Sequence, residues 1–87
     1  MNHPMQYSLE VKQLIEPYRP ECDLDACIPL MSISSDSPFG AFSVGDSITD
    51  GPAISYLGVI AHINHMIGPC GDDTCMHLTR IYLNPED

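Results

Sequence analysis

Apolar residues near the start of the chain recur at helical spacing. They fall at positions i, i+3, i+4 and i+7, which is one face of a helix, and they are Val11, Leu14, Ile15 and Tyr18. Ser8 is a residue type that caps helices, while Pro17 and Pro20 would end one. The pattern predicts a short helix that starts at Leu9 and must pack on another element to persist.

Strand-like patterns follow. The run IPLMSIS, 28–34, predicts an edge strand, because Pro29 lacks the amide donor that a central strand needs. In the stretch 41–44, Phe42 and Val44 alternate with smaller residues and would share one face of a strand. The runs 54–67 and 74–83 are rich in β-branched and aromatic residues, which also favours strands. The loop 68–73 predicts a hairpin between these two runs, in which the numbers of facing residues sum to about 141.

These elements predict an α+β fold, with a short N-terminal helix packed on a small antiparallel β-sheet that could curl into an SH3-like barrel. A chain of 87 residues has room for one small domain. Its expected parts are a helix plus irregular arm over 1–38, the antiparallel sheet over 39–83 and a tail over 84–87.

The letters FSVGDSI, 42–48, and YLGVI, 56–60, carry a resemblance to a known class of domain. Residues 39–83 resemble small SH3-like barrels of the KOW or Tudor type. The resemblance implies that a strand ends in a Gly-Asp turn and that Gly58 permits a sharp bend in the next strand. The basic loop residues of the nucleic-acid-binding versions are missing, so the implied ligand is a protein.

The stretch FSVGDSITDG, 42–51, is also similar to the first motif of the GDSL/SGNH hydrolases. That likeness implies an esterase with Ser47 as nucleophile on a fold of alternating helices and strands. The family's Asp-x-x-His motif does not occur, since Asp73 and His77 are one residue too far apart. We therefore interpret Gly45-Asp46 as a turn, in which Gly45 takes an unusual backbone angle, Asp46 caps the turn and Ser47 points to solvent. No enzyme activity is expected.

The charge balance bears on the class of partner. Twelve acidic residues against three basic ones give a formal net charge of −9. Such a chain repels phosphate backbones, so direct nucleic-acid binding is not expected. The first residues lack the features of a signal peptide, and no apolar run reaches the ~18 residues of a membrane span. These features predict a cytoplasmic protein that does not contact membranes.

The acidic residues suggest a protein-binding function. They can contact a basic partner surface, or they can be a solvated face that only confers solubility. On the first interpretation the partner-binding residues are Glu21, Asp23, Asp25, Asp46, Asp50, Asp72 and Asp73, with Tyr56 and Tyr82 as aromatic anchors.

In composition the chain resembles phage-encoded anti-CRISPR and other anti-defence proteins. The expected function is that of a non-enzymatic inhibitor of a nucleic-acid-handling complex, acting by occlusion or nucleic-acid mimicry. A homodimer formed through exposed sheet edges is a further expectation.

The cysteines and histidines allow one alternative, a small zinc-stabilised accessory domain. In the predicted hairpin register Cys75, His77 and His62 share a face below Cys70, which is a possible zinc ligand set. His65 is expected on the opposite face. The competing interpretation is that the cysteines are small buried hydrophobes and that the protein has no cofactor.

Overall fold

The computed structural model describes residues 5–51, 55–68 and 75–85. These residues form five strands: β1 (Met5–Leu14), β2 (Cys27–Ser35), β3 (Ser47–Asp50), β4 (Ser55–Ile67) and β5 (Cys75–Leu83). They lie in a single sheet in the order β2-β1-β5-β4-β3. Within these ranges the chain contains no helix, and hence none that could cross a membrane.

The predicted α+β class is wrong, because the described chain is all-β. The sheet is mixed rather than antiparallel: β1 runs parallel to β5, and the other neighbouring pairs are antiparallel. It curls into a half-barrel. The segment predicted as a helix and an irregular arm supplies β1 and β2, which belong to the same sheet as the rest.

The predicted N-terminal helix is strand β1, which lies between β2 and β5. Alternate residues Leu9 and Val11 point into the core, as a strand requires, and are 7% and 1% exposed. Leu14 is also buried, but on the opposite face. The apolar residues coincide with helical spacing because some lie on each of the two faces of a strand and others lie in the turn that follows it. Pairing on both edges outweighs the local pattern.

The prediction of an edge strand at residues 28–34 is confirmed, since β2 lies at the edge of the sheet. Its pairing with β1 shifts at a bulge, where Val11 faces Met31 and Lys12 faces Pro29. Pro29 therefore stands next to an irregularity on an edge strand, the two settings in which a strand tolerates proline.

The interpretation of Gly45-Asp46 as a turn is also confirmed. Gly45 has a φ of 101°, and the Ser43 amide donates to the Asp46 carboxylate at 3.0 Å. Ser47 is exposed at the start of β3. Gly58 has a φ of 145° and lies opposite a register shift between β3 and β4. The backbone there takes angles that side chains rarely permit.

The core lies on the concave face of the half-barrel. Its buried members come from β1, β4 and β5, and they are Leu9, Val11, Ile60, Ile81 and Leu83. Phe39 and Phe42, in the connection between β2 and β3, pack over them. Full burial of one large apolar side chain of this core contributes about 1.5–3 kcal/mol to the free energy of folding. The connection from one sheet edge to the other therefore also covers the core.

Candidate functional site

The connection between β1 and β2, residues 15–26, is the most acidic part of the described chain, and we call it the acidic segment. It is built from short turns. The Cys22 amide donates to the Arg19 carbonyl at 3.0 Å, and the Ala26 amide donates to the Asp23 carbonyl at 3.1 Å. The Asp23 carboxylate accepts the Asp25 amide at 2.9 Å, which is the Asx turn typical of aspartate in loops. Local hydrogen bonds thus define its conformation.

Tyr18 attaches the acidic segment to the sheet. Its ring stacks on His62 of β4, with centroids 5.0 Å apart and planes inclined by 14°. The His62 ring in turn contacts Tyr82 of β5, with centroids 5.7 Å apart. The Tyr18 amide also donates to the Asn84 side-chain oxygen at 3.1 Å. The acidic segment is therefore held against the outer, convex face, at the end where β1 and β5 finish.

The segment presents its carboxylates to solvent. Its acidic residues are all exposed, and they are Glu16, Glu21, Asp23 and Asp25. Arg19 is its only cation, 3.1 Å from Glu16 and 3.9 Å from Glu21. Exposed ion pairs of this kind contribute at most about 1 kcal/mol, and they leave two of the four carboxylates unpaired with Arg19. The segment has a clear excess of negative charge.

A cavity of about 230 Å³ lies beside these carboxylates. Its lining residues are Leu14, Ile15, Glu16, Cys22, Asp23 and Ala26. The walls are mainly apolar, Ile15 is exposed at the surface, and two carboxylates stand at the cavity. Lysine and arginine side chains combine an aliphatic stem with a cationic end. The arrangement suits such a side chain.

Arg80 does not neutralise the segment, because it is paired with Glu10 of β1. Arg80 donates to Glu10 at 3.1 Å across the parallel strands β5 and β1, and both side chains are 26% exposed. A hydrogen bond to Tyr82, and then the contact with Glu10, raise the pKa of Arg80 above its ordinary value, against the opposing effect of burial. Arg80 is thus a charged partner of Glu10.

The other residues predicted to bind a partner are scattered. Asp46 caps its own turn, and Asp50 ends β3. Tyr56 is exposed, but Tyr82 is only 4% exposed, so it supports the sheet and cannot anchor a partner. The prediction for Asp72 and Asp73 falls outside the described residues. Of the predicted acidic set, Glu21, Asp23 and Asp25 lie together.

The predicted zinc ligands are not brought together among the described residues. From His62 to Ile67, facing numbers of β4 and β5 sum to 144 and not to about 141. This odd shift exchanges the faces, so His62 lies opposite Tyr82 on the convex face while His77 lies on the concave face. Cys75 is disulfide-bonded, whereas Cys22 and Cys27 are free thiols. The prediction for Cys70 falls outside the described ranges.

The corrected register reveals a pair of histidines that sequence reasoning separated. His65 shares the concave face with His77, contrary to expectation, and His65 Nδ1 lies 2.9 Å from His77 Nε2. Thr79 Oγ1 lies 3.4 Å from the same nitrogen of His65. The signal was present in the sequence, since both histidines belong to consecutive strands of one hairpin. The correct register of β4 and β5 is what places the two histidines side by side.

Comparison with known proteins adds no constraint on function: no protein-family model matches the chain, and neither the curated proteins nor the solved structures contain a match.

Proposed function

We propose that this chain is a non-enzymatic protein-binding module that docks its acidic segment on a basic surface of a partner protein. The observation that carries the proposal is the cavity beside Glu16 and Asp23, whose apolar walls adjoin exposed carboxylates. A solvated acidic loop that served only solubility would have no need of an apolar recess. The combination fits a partner that inserts a lysine or arginine.

Binding would proceed in two stages. The net charge of −9 attracts a basic surface over a distance and speeds the encounter. A cationic side chain of the partner then places its stem against Leu14, Ile15 and Ala26 and its charge beside the carboxylates. Tyr18 keeps the segment in position, so little conformational entropy is lost on docking.

The partner class that follows is a protein whose basic surface handles nucleic acid. Occupation of that surface by an acidic module excludes the phosphate backbone, which is inhibition by occlusion and the mode expected of anti-defence proteins. Inhibition by occlusion does not require the carboxylates to reproduce the spacing of phosphates in a nucleic acid. Direct contact with nucleic acid is disfavoured because like charges repel.

Self-association through β2 is a second part of the proposal. The outer edge of β2 has no strand beside it within the described chain, and Ile28, Leu30 and Ile33 are exposed along it. Antiparallel pairing with the β2 strand of a second copy would satisfy both edges about a two-fold axis. The negative charge of both copies opposes this contact, so salt strengthens it.

The test of partner binding compares two charge reversals. Asp25→Lys alters the acidic segment, whereas Asp36→Lys makes the same change of charge at the exposed residue that follows β2. Wild type and both variants are used as baits, and the captured protein is then purified and titrated. We expect Asp25→Lys to weaken binding at least about tenfold, Asp36→Lys to bind like wild type, and duplex DNA to displace the partner.

Equal weakening by both variants would mean that only the total charge matters. Binding that neither variant nor DNA affects would refute the acidic-segment proposal. Asp25 suits the experiment because its carboxylate makes no hydrogen bond found among the described residues, in contrast to the carboxylate of Asp23.

A further inference from the structure

A second cavity lies on the concave face, at the end of the sheet where β1 and β5 begin. Its volume is about 230 Å³, and we call it the histidine pocket. Aromatic rings of the connection between β2 and β3 form one wall, and polar side chains of β1, β4 and β5 form the floor. The residues that matter here are Tyr7, Phe39, Phe42, His65, His77 and Thr79.

The floor contains two imidazole nitrogens that face each other. His65 Nδ1 and His77 Nε2 are 2.9 Å apart, and the ring centroids are 5.1 Å apart. Only one proton fits between the two nitrogens, so with neutral rings one nitrogen donates and the other accepts. Protonation of both rings would place two positive charges side by side. A metal ion that lies to one side of the line joining the two nitrogens can accept a lone pair from each.

The distance between the two nitrogens matches the distance between adjacent ligand atoms around a transition metal. Metal–imidazole bonds are ~2.0–2.1 Å long, so two nitrogens in adjacent coordination positions lie about 2.9–3.4 Å apart. Imidazole suits zinc, copper, nickel and iron. The proton between the rings need not leave the protein, because each neutral ring can carry its proton on the outer nitrogen, Nε2 of His65 and Nδ1 of His77.

The surroundings favour a cation over an anion. The chain has a net charge of −9, which concentrates cations at its surface. The described residues bring together no group of three or more His, Cys, Asp and Glu side chains, so the protein supplies two such ligands here. The cavity leaves space beside them for water or for a donor from another molecule.

We propose that His65 and His77 bind one divalent transition-metal ion of the zinc class, with its remaining coordination positions open to the histidine pocket. This site is distinct from the acidic segment and does not depend on partner binding. It also differs from the ligand set expected from the sequence, since it uses His65 and not His62.

The first test is calorimetric titration of the intact chain with zinc chloride in buffer free of chelator and reductant. We expect one zinc per chain, and affinity at least about tenfold weaker in His65→Gln and in His77→Gln. His62→Phe is the matched control, because it removes a histidine but keeps a ring to stack on Tyr18. His3→Gln controls for the remaining histidine. Both controls should bind like wild type.

The second test needs no variant, and so it holds even if a substitution unfolds the chain. Imidazole nitrogen NMR of the wild-type protein should show zinc-dependent shifts at Nδ1 of His65 and Nε2 of His77. Unchanged imidazole shifts in both rings, binding lost with His3→Gln or His62→Phe, or binding seen only after reductant is added would each overturn the proposal. The last result would assign the metal to the cysteines.

Discussion

Tyr18 and His62 stack face to face, with ring centroids 5.0 Å apart and planes inclined by 14°. One ring belongs to the acidic segment and the other to strand β4, which is more than forty positions away along the chain. Together with the hydrogen bond from the Tyr18 amide to Asn84, this stack fixes the acidic segment to the sheet. The proposed binding surface thus depends on the fold.

Tyr18→Ala should therefore affect both stability and binding. Loss of the aromatic contact and of the half-buried ring should lower the free energy of unfolding by about 1–2 kcal/mol, measured by urea denaturation. Partner affinity should fall as well, because a detached segment must be ordered on docking. Tyr56→Ala is the control, since that ring is 53% exposed, and it should change stability by less than about 0.5 kcal/mol. Equal effects of the two variants would contradict the anchoring role.

Gly58→Ala should destabilise the protein. A Cβ added there would lie 3.3 Å from the Leu83 Cβ and 3.4 Å from the Asn84 carbonyl oxygen, at a φ of 145° that side chains rarely adopt. We expect a loss of about 1–3 kcal/mol in the free energy of unfolding. Gly40→Ala meets no atom within 4 Å and has no left-handed φ, so it should be nearly neutral. If Gly58→Ala were as stable as Gly40→Ala, the backbone of β4 opposite the register shift would not require glycine.

The ion pair between Arg80 and Glu10 should show measurable coupling. Both side chains are 26% exposed, so the pair is less screened than a surface pair. A double-mutant cycle with Arg80→Met and Glu10→Gln should give a coupling free energy of about 1–2 kcal/mol. Zero coupling would show that the two side chains act independently.

The raised pKa of Arg80 also defines how this contribution depends on pH. A cation whose pKa is higher in the folded than in the unfolded state stabilises fully below the unfolded value, and the stabilisation is lost only as pH rises through the folded value. For arginine both values lie in the strongly alkaline range. The effect of Arg80→Met on stability should therefore be the same at neutral and mildly alkaline pH, and a decline across that range would contradict this sign.

Dimerisation through β2 can be tested by sedimentation. The average mass should rise with protein concentration, and more so at high salt, because screening reduces repulsion between the two acidic copies. Ile33→Lys on the β2 edge should remain monomeric. Val44→Lys changes another exposed apolar residue, 65% exposed and outside β2, and should dimerise like wild type. A monomer under all conditions would rule out this self-association.

Local sequence signals were sufficient for the parts of the fold that local chemistry determines. The turn at Gly45 and Asp46 was predictable because glycine permits a left-handed backbone and aspartate caps turns, so a Gly-Asp pair is typical of a turn. Pro29 marked the edge strand, since a missing donor is tolerated there. The antiparallel arrangement of β4 and β5 followed from two adjacent apolar runs.

Long-range pairing was not predictable in the same way. Residues 5–14 form a strand because β5, far along the chain, pairs with them in parallel. Nothing in the local spacing of Val11 and Leu14 reports that partner. The register of β4 and β5 depends on how many residues the connecting loop uses. The sum of facing residue numbers was expected to be about 141 and is 144, and this odd difference had assigned His65 and His62 to the wrong faces of the sheet.

The acidic segment was predicted in composition but not in geometry. Glu21, Asp23 and Asp25 were recognisable as a cluster from the sequence. The cavity beside them was not, because it is formed by Leu14 at the end of β1 and by Ala26 directly before β2, which come together through the pairing of the two strands. The cavity is thus visible only in the structure, whereas the excess of acidic residues, which favours a basic partner, is visible in the sequence.

Binding of a basic partner at the acidic segment can be measured by an NMR titration of isotope-labelled protein with an oligo-arginine peptide at low and high salt. We expect amide shifts that are concentrated in residues 14–26, saturable at low salt, and strongly reduced in Asp25→Lys but not in Asp36→Lys. Shifts spread evenly over all acidic residues, or centred away from the acidic segment, would contradict the claim that this segment is a built site for a basic partner.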